Sequence, residues 1–285
     1  LNLNQLPTFT TQDGCLKSGI KRFLFQHFSS QVLFIGNNML TGQNAFFFKT
    51  NIEKNDALHS LQLSALEIKN KLKSQGNKLH IITFKDFDSN SLLDFETPNF
   101  QKNYRFSTQP NMVFDIAEHW KSEQDYIDAL SKKYRDQYKR ARKKLGGIEK
   151  RKMNLDDILK HEQKIYELYL HVAQNAPFNT FYLAKNHFSV FKEKLGHDFL
   201  FYGYFLNNEL VGFNTLIKNG LVLDTYFLGY DSTIQQQKML YLNMLYDMIA
   251  YSINKGFKKI IFARTALEIK SSVGAKPIEM FGFMD

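Results

Sequence analysis

Cysteine is nearly missing from this sequence: Cys15 is the only one in 285 residues. One thiol excludes an internal disulfide framework and any thiolate-rich metal site. Cys15 stands in a turn with Gly14 and Lys17, either as an incidental residue or as a nucleophile. The eight histidines never fall at the i, i+4 spacing of a helical metal site, and none pairs with another ligand type at short spacing, so no metal is expected. There is no G-x-x-x-x-G-K-[ST] phosphate loop, no G-x-G-x-x-G after a strand and no G-x-S-x-G elbow. No apolar run approaches the roughly 18 residues of a spanning helix, so a soluble protein is expected. No secretory leader pattern opens the sequence, which sets a cytoplasmic expectation. Residue 1 is Leu rather than Met, so the chain reads as a fragment or a trimmed piece. Aromatics, by contrast, are abundant. With 27 Phe, 14 Tyr and 44% hydrophobic residues, a disordered chain is excluded. The length suits one large domain or two of ordinary size.

The formal net charge is +9, and it is concentrated. Residues 131–152 hold eleven Lys and Arg against two acids, Asp136 and Glu149, leaving 26 of each sign elsewhere. The stretch reads as a helix. Ser122 caps its start, with Asp125 three residues on. Ile127, Leu130, Tyr134, Tyr138, Ala141 and Leu145 form one apolar stripe. Gly146 and Gly147 end it. The basic residues then cover its solvent side. Like charges one turn apart repel, so an anionic partner is favoured over a merely solvated face: substrate phosphates, RNA or an acidic membrane surface.

The second half has the clearest pattern. Strands are predicted at 199–206, 209–218 and 221–229, joined by the turn pairs Asn207-Asn208 and Asn219-Gly220. A polar segment, 231–238, leads into a helix at 239–255, stopped by Gly256 before a strand at 258–263. Such a strand–helix–strand unit implies parallel pairing through a right-handed crossover. Two helices are predicted upstream, at 156–174 and 184–195, with Pro177 between them. The first half echoes this order: a strand at 31–36, a helix from Asp56 to Gln75, Gly76, and a strand at 78–84. Residues 76–82 resemble residues 256–262. The echo suggests two related domains, with the first present only as its later half. Pro98 and Pro110 bound the best division, giving 1–110 and 111–285.

The order helix–helix–three-strand meander–helix–strand resembles the GCN5-related N-acetyltransferase (GNAT) superfamily. In detail the chain is similar to its double-domain relatives, the Fem-type peptidyltransferases and the peptidoglycan biosynthesis/recognition acyltransferase-like proteins. Three stretches carry this. The first is Tyr126 to Arg135 with Lys139-Arg140-Ala141-Arg142-Lys143-Lys144, similar to a Y-x-x-x-L-S-x-K-x-R…K-R-A-x-K helix. The second is the meander and helix at 199–263. The third is the closing segment 264–284, a Lys-containing short helix, a Gly and a strand. Together they cover about 111–285. The resemblance implies an α/β fold, a GNAT-like mixed sheet flanked by helices, complete in the second domain and partial in the first. It also implies acyl or aminoacyl transfer to an amine of a small, anionic or cell-envelope-related substrate.

For the donor, the resemblance assigns contacts to Phe227 and Gly229 late in the third strand and to Gln236, Lys238 and Met239 before the helix. The superfamily holds the donor pyrophosphate with a [QR]-x-x-G-x-[GA] loop at a helix start. The matching positions are Gln236, Met239 and Tyr241, so the Gln is kept and both glycines are lost. Side chains there obstruct close backbone approach. Acetyl-CoA or another acyl-CoA would bind in an altered way, or the donor is aminoacyl-tRNA, as in the Fem-type enzymes.

Acyl transfer needs a base for the amine, a held carbonyl and an acid for the leaving group. Asp224 is the candidate base, since burial among apolar neighbours raises a carboxyl pKa. Its other reading is a structural carboxylate paired with a strand or with Arg264. Tyr226, two residues on, is a candidate acid or a core residue. Arg264, Thr265, Glu268 and Lys270 follow a strand's carboxyl end, where ligands of α/β sheets gather. Arg264 and Lys270 are expected to contact an anion or carbonyl, unless the turn is only a capped surface feature. Asn214 is a further substrate contact. Lys132, Arg135 and Lys139 on the basic helix would dock an anionic substrate, a tRNA donor or the membrane periphery. The reading from a different class is a non-catalytic module using the same helix on RNA or membrane phosphate.

Overall fold

A computed structural model describes residues 31–285 apart from 50, 99, 177, 178 and 180. Cys15 and Pro177 lie outside the described residues. The chain divides into two compact units: residues up to Asn111 with Ile278–Asp285, and Met112–Pro277.

In the first unit, β1 (Val32–Ile35) runs parallel to β2 (Ile81–Asp88), and β2 pairs antiparallel with β9 (Lys276–Met284). The connection between β1 and β2 contains α1 (Lys54–Ser74), and Gly76 at φ 82° turns the chain out of it. The apolar faces meet in an aromatic core around Phe84, Phe87, Phe95, Phe100 and Phe283. Phe95 lies edge-on to Phe100 at 4.9 Å and stacks on Phe283 at 4.8 Å.

The second unit is a mixed sheet. Its strands are β3 (Tyr104–Asp115, through Met112–Asp115), β4 (Ile148–Lys152), β5 (Phe199–Leu206), β6 (Glu209–Asn219), β7 (Val222–Tyr230) and β8 (Lys259–Ala263). Their order is β3-β8-β7-β6-β5-β4. Only β7 and β8 pair in parallel; the other neighbours are antiparallel. The two predicted hairpins form where their turn residues allow. Asn207 and Asn208 take φ 51° and 64°, and Gly220 takes 59°. Helices cover both faces. On one face α2 (Glu123–Ala129), α3 (Lys132–Lys144) and α8 (Leu240–Asn254) pack a core that includes Met112, Ala141, Leu245 and Ile249. On the other, α4 (Leu155–Lys160), α5 (Glu162–Gln174) and α6 (His187–Leu195) enclose Leu168, Phe188, Phe201 and Phe213.

Three local expectations change. The helix expected across 122–145 is two helices, because Leu130 turns extended at ψ 141°. The Arg135 guanidinium fixes the break by donating to the carbonyls of Asp128 (3.1 Å) and Leu130 (2.9 Å). Ser122 and Asp125 do start α2: the Asp125 carboxylate accepts from the N–H groups of Lys121 and Ser122, both at 2.8 Å. Residues 148–152 form an edge strand, although IEKRK has no apolar alternation; β5 supplies its partner. The polar segment 231–238 contains α7 (Ser232–Lys238), which Asp231 caps by accepting from the N–H groups of Thr233 (2.9 Å) and Ile234 (3.4 Å).

Candidate active site

The site begins where a sheet opens. β7 and β8 pair at Val222↔Lys259, Leu223↔Ile260 and Asp224↔Ile261. β7 then runs on for six residues, to Tyr230, while β8 ends at Ala263. The strands part, and a cleft of about 310 Å³ lies between their carboxyl ends. A bulge shapes its wall. Leu216 pairs with Thr225 and Asn214 with Leu228, so Tyr226 and Phe227 together oppose Thr215. The Thr215 hydroxyl donates to the Phe227 carbonyl at 2.6 Å and holds the bulge. Consecutive residues Thr225 to Leu228 can thus all line the cleft. Tyr169, Val172 and Ala173 of α5 and Tyr241, Leu245 and Met248 of α8 form its sides.

Beyond β8 the chain bends sharply. Ala263, Thr265 and Ala266 have φ of 60°, 67° and 48°, a left-handed conformation that L-residues adopt at a cost of about 1–3 kcal/mol each. The bend carries Arg264, Thr265 and Ala266 to the cleft and leads into α9 (Leu267–Ser272), which returns Lys270 to the same cleft. Lys270 is 4% exposed. Its Nζ donates to the carbonyls of Arg264 (2.7 Å) and Ala263 (3.3 Å), tying the strained bend to the helix. Burial lowers its pKa to about 7. Burial lowers the Arg264 pKa too. Among the described residues no Asp or Glu lines the cleft, and its charged side chains are these two cations.

Tyr226 is held from behind. Its hydroxyl lies 3.0 Å from His187 Nε2, and its ring stacks on Phe191 at 5.3 Å. Burial raises the Tyr226 pKa and lowers that of His187, so both favour their neutral forms near neutral pH.

The sequence candidates separate. Tyr226, Phe227, Arg264, Thr265 and Lys270 meet in the cleft. Asp224 is buried and its carboxyl pKa is raised by that burial, partly offset by a hydrogen bond from Asn219, but it does not line the cleft. Gly229 faces α5: a Cβ there would come within 2.6 Å of the Leu168 and Tyr169 backbone. Gln236 and Lys238 lie in α7, where the Lys238 ammonium donates to the Gly146 carbonyl at 2.7 Å. Met239 sits at φ 51° between α7 and α8, and its N–H donates to the Gln235 carbonyl. Asn214 donates to the Tyr204 hydroxyl at 3.1 Å, which donates to Asp247 at 2.9 Å, away from the cleft. Glu268, Lys132 and Lys139 are exposed, and Arg135 is spent on the α2–α3 break. Sequence reasoning missed Tyr169, Tyr230, Tyr241 and His187. The tyrosine at 241 was visible only as a lost glycine.

Comparison with solved structures places this architecture. FemX superposes with a TM-score of 0.54, at 12% identity, over 81% of this chain and 78% of its own. The fold is Fem-like. A conserved protein of unknown function from Bacteroides thetaiotaomicron gives 0.53 at 13% identity, covering 79% of this chain and 75% of that one. The C-terminal domain of a putative lysylphosphatidylglycerol synthetase from Agrobacterium fabrum gives 0.51 at 7%, covering 78% and 72%. At these identities the likeness is one of fold. No family model matches the sequence, and no curated protein matches it significantly.

Proposed function

We propose that the protein is an N-acyltransferase that joins an acyl or aminoacyl group to an amine in the β7–β8 cleft. Lys270 carries this reading. Its ammonium has three donors, two of them engaged by the Ala263 and Arg264 carbonyls. The remaining position is an N–H in the protonated form and a lone pair in the neutral one. With a pKa of about 7, both forms are populated at neutral pH. One group can then donate to the developing oxyanion of the attacked carbonyl or relieve the amine of its proton. Arg264 beside it favours a substrate bearing a carboxylate or phosphate, in keeping with an anionic or cell-envelope-related acceptor.

For the donor, the reading we favour is an ester-linked aminoacyl group of the aminoacyl-tRNA kind rather than acyl-CoA. The positions matching a pyrophosphate loop are closed here. Met239 has spent its N–H on Gln235, and the side chains of Met239 and Tyr241 stand where the loop has its two glycines.

The test is a transfer assay with aminoacyl-tRNA and acetyl-CoA as donors and a panel of amines. Lys270→Met is expected to lower kcat by about 100-fold or more. Asp224→Asn, outside the cleft, is expected to change it less than about fivefold. Wild-type turnover in the Lys270→Met protein would sink the assignment. Thermal stabilisation by acetyl-CoA and free CoA, with none by tRNA, would return the donor to coenzyme A.

A further inference from the structure

The basic stretch that dominates the sequence is not consumed by the cleft. Within it, Arg135 closes the α2–α3 break and Arg142 is tied to Glu123 and Asp247, both at 2.7 Å. Lys150 lies over the Tyr202 ring at 4.5 Å and 3.5 Å from Asp247. Arg151 and Lys152, at the end of edge strand β4, turn elsewhere. They line a separate concavity of about 380 Å³ with Lys160 and His161 from the α4–α5 junction and Asn208 from the β5–β6 turn.

The groups in it are pre-positioned. The Arg151 guanidinium stacks over the Phe205 ring at 4.5 Å and donates to Asn208 Oδ1 at 2.9 Å. His161 Nδ1 lies 2.9 Å from the Asp157 carbonyl, which can only accept, so the proton is on Nδ1 and Nε2 is left as an acceptor for a ligand hydroxyl such as the P–OH of a singly protonated phosphate. Two carboxylates stand close, and each has a local task. Glu149 pairs with Arg151, and Asp157 accepts from the Asn154 N–H at 3.0 Å to cap α4. Three permanent cations, Arg151, Lys152 and Lys160, exceed them.

We infer that Arg151, Lys152, Lys160 and His161 form a phosphate-binding pocket distinct from the acyl-transfer cleft. A guanidinium fork, two ammonium groups and an imidazole approach from three different elements. That arrangement suits a tetrahedral anion with several acceptor oxygens better than a planar carboxylate. The pocket sits at the amino end of α5, whereas Val172 and Ala173 near its carboxyl end line the cleft. Eleven residues of helix at 1.5 Å each separate the two by about 17 Å. The pocket therefore stands whether or not the cleft transfers an acyl group.

Isothermal titration of the full chain with inorganic phosphate and with glycerol 3-phosphate tests it. Wild type is expected to bind one equivalent saturably. The Arg151→Ala/Lys160→Ala variant should bind at least about tenfold more weakly, which is about 1.4 kcal/mol. Lys160→Ala alone, at an exposed site, gives the same sign should the double variant fold poorly. Lys132→Ala/Lys139→Ala removes the same charge from α3 and should leave affinity within about twofold. Tighter binding of glycerol 3-phosphate would mark an esterified phosphate as the natural occupant, and preference for inorganic phosphate a free anion. No saturable binding by wild type, or equal loss in both charge variants, overturns the pocket.

Discussion

Lys270 has a folded-state pKa of about 7, below the ordinary 10.5. Between those values the unfolded chain holds a proton that the folded chain does not, so stability rises with pH across that window. The full difference is of order 5 kcal/mol. Denaturant melts of wild type and Lys270→Met between pH 7 and pH 10 are expected to show it: wild type gains stability with pH relative to the variant. Parallel curves would mean Lys270 is not held neutral by burial. Gly229 is a second residue whose identity is explained by contact. An added Cβ meets the α5 backbone at 2.6 Å and Phe213 Cε1 at 2.5 Å, and the backbone cannot yield as a side chain can. Gly229→Ala is expected to cost about 2–3 kcal/mol in equilibrium unfolding. A donor contact at this glycine would instead leave stability intact and weaken donor binding.

At the scale of elements, α3 shows how a charged helix is anchored. Its apolar stripe is short, and much of its attachment is polar. Arg142 reaches back to Glu123 of α2 and across to Asp247 of α8, and Asn243 of α8 donates to the Ala141 carbonyl at 3.0 Å. Arg142 lies with its side chain 22% exposed, so removing it takes the guanidinium partner from two partly buried carboxylates. Arg142→Met is expected to cost about 3 kcal/mol, and Asp247→Asn in the same chain to cost less than it does alone. Thermal denaturation of the two single variants and the double variant measures this. The break between α2 and α3 was not legible in the sequence. The stripe from Ile127 to Leu145 keeps helical spacing across Leu130 and Ser131, and the break depends on where one guanidinium folds back. β4 was hidden for a related reason: an edge strand of charged residues has no alternation to read, and its hydrogen bonds come from β5.

For the whole molecule, the charge count and the folded surface answer different questions. The excess of +9 lies in one stretch, but the fold turns part of it inward. What stays outward on α3 includes Lys132 and Lys139, and we propose that this face docks a polyanion such as tRNA. Binding should then weaken as salt rises, and Lys132→Ala/Lys139→Ala should flatten the log affinity against log salt slope by about 2. Filter binding across a salt series measures it. An unchanged slope would remove α3 from the docking face.

The meander, both asparagine turns, the crossover helix and its glycine stop were readable because local rules alone specify them. Alternation, turn chemistry and helix ends act over a few residues. The sequence by itself therefore determined the order of the meander, the crossover helix and the strand after it, and the Fem-like resemblance that follows from them. It also brought Arg264 and Lys270 forward, since they trail a strand end. Only the tertiary structure decided which candidates share a cleft. The splay after Asp224 and Ile261 depends on pairing with β8, distant in sequence, and the bulge at Tyr226 and Phe227 on the register that the β6–β7 hairpin takes in the sheet. So does the burial that makes Lys270 a group near neutrality. Each is a property of neighbours that the chain meets only once folded.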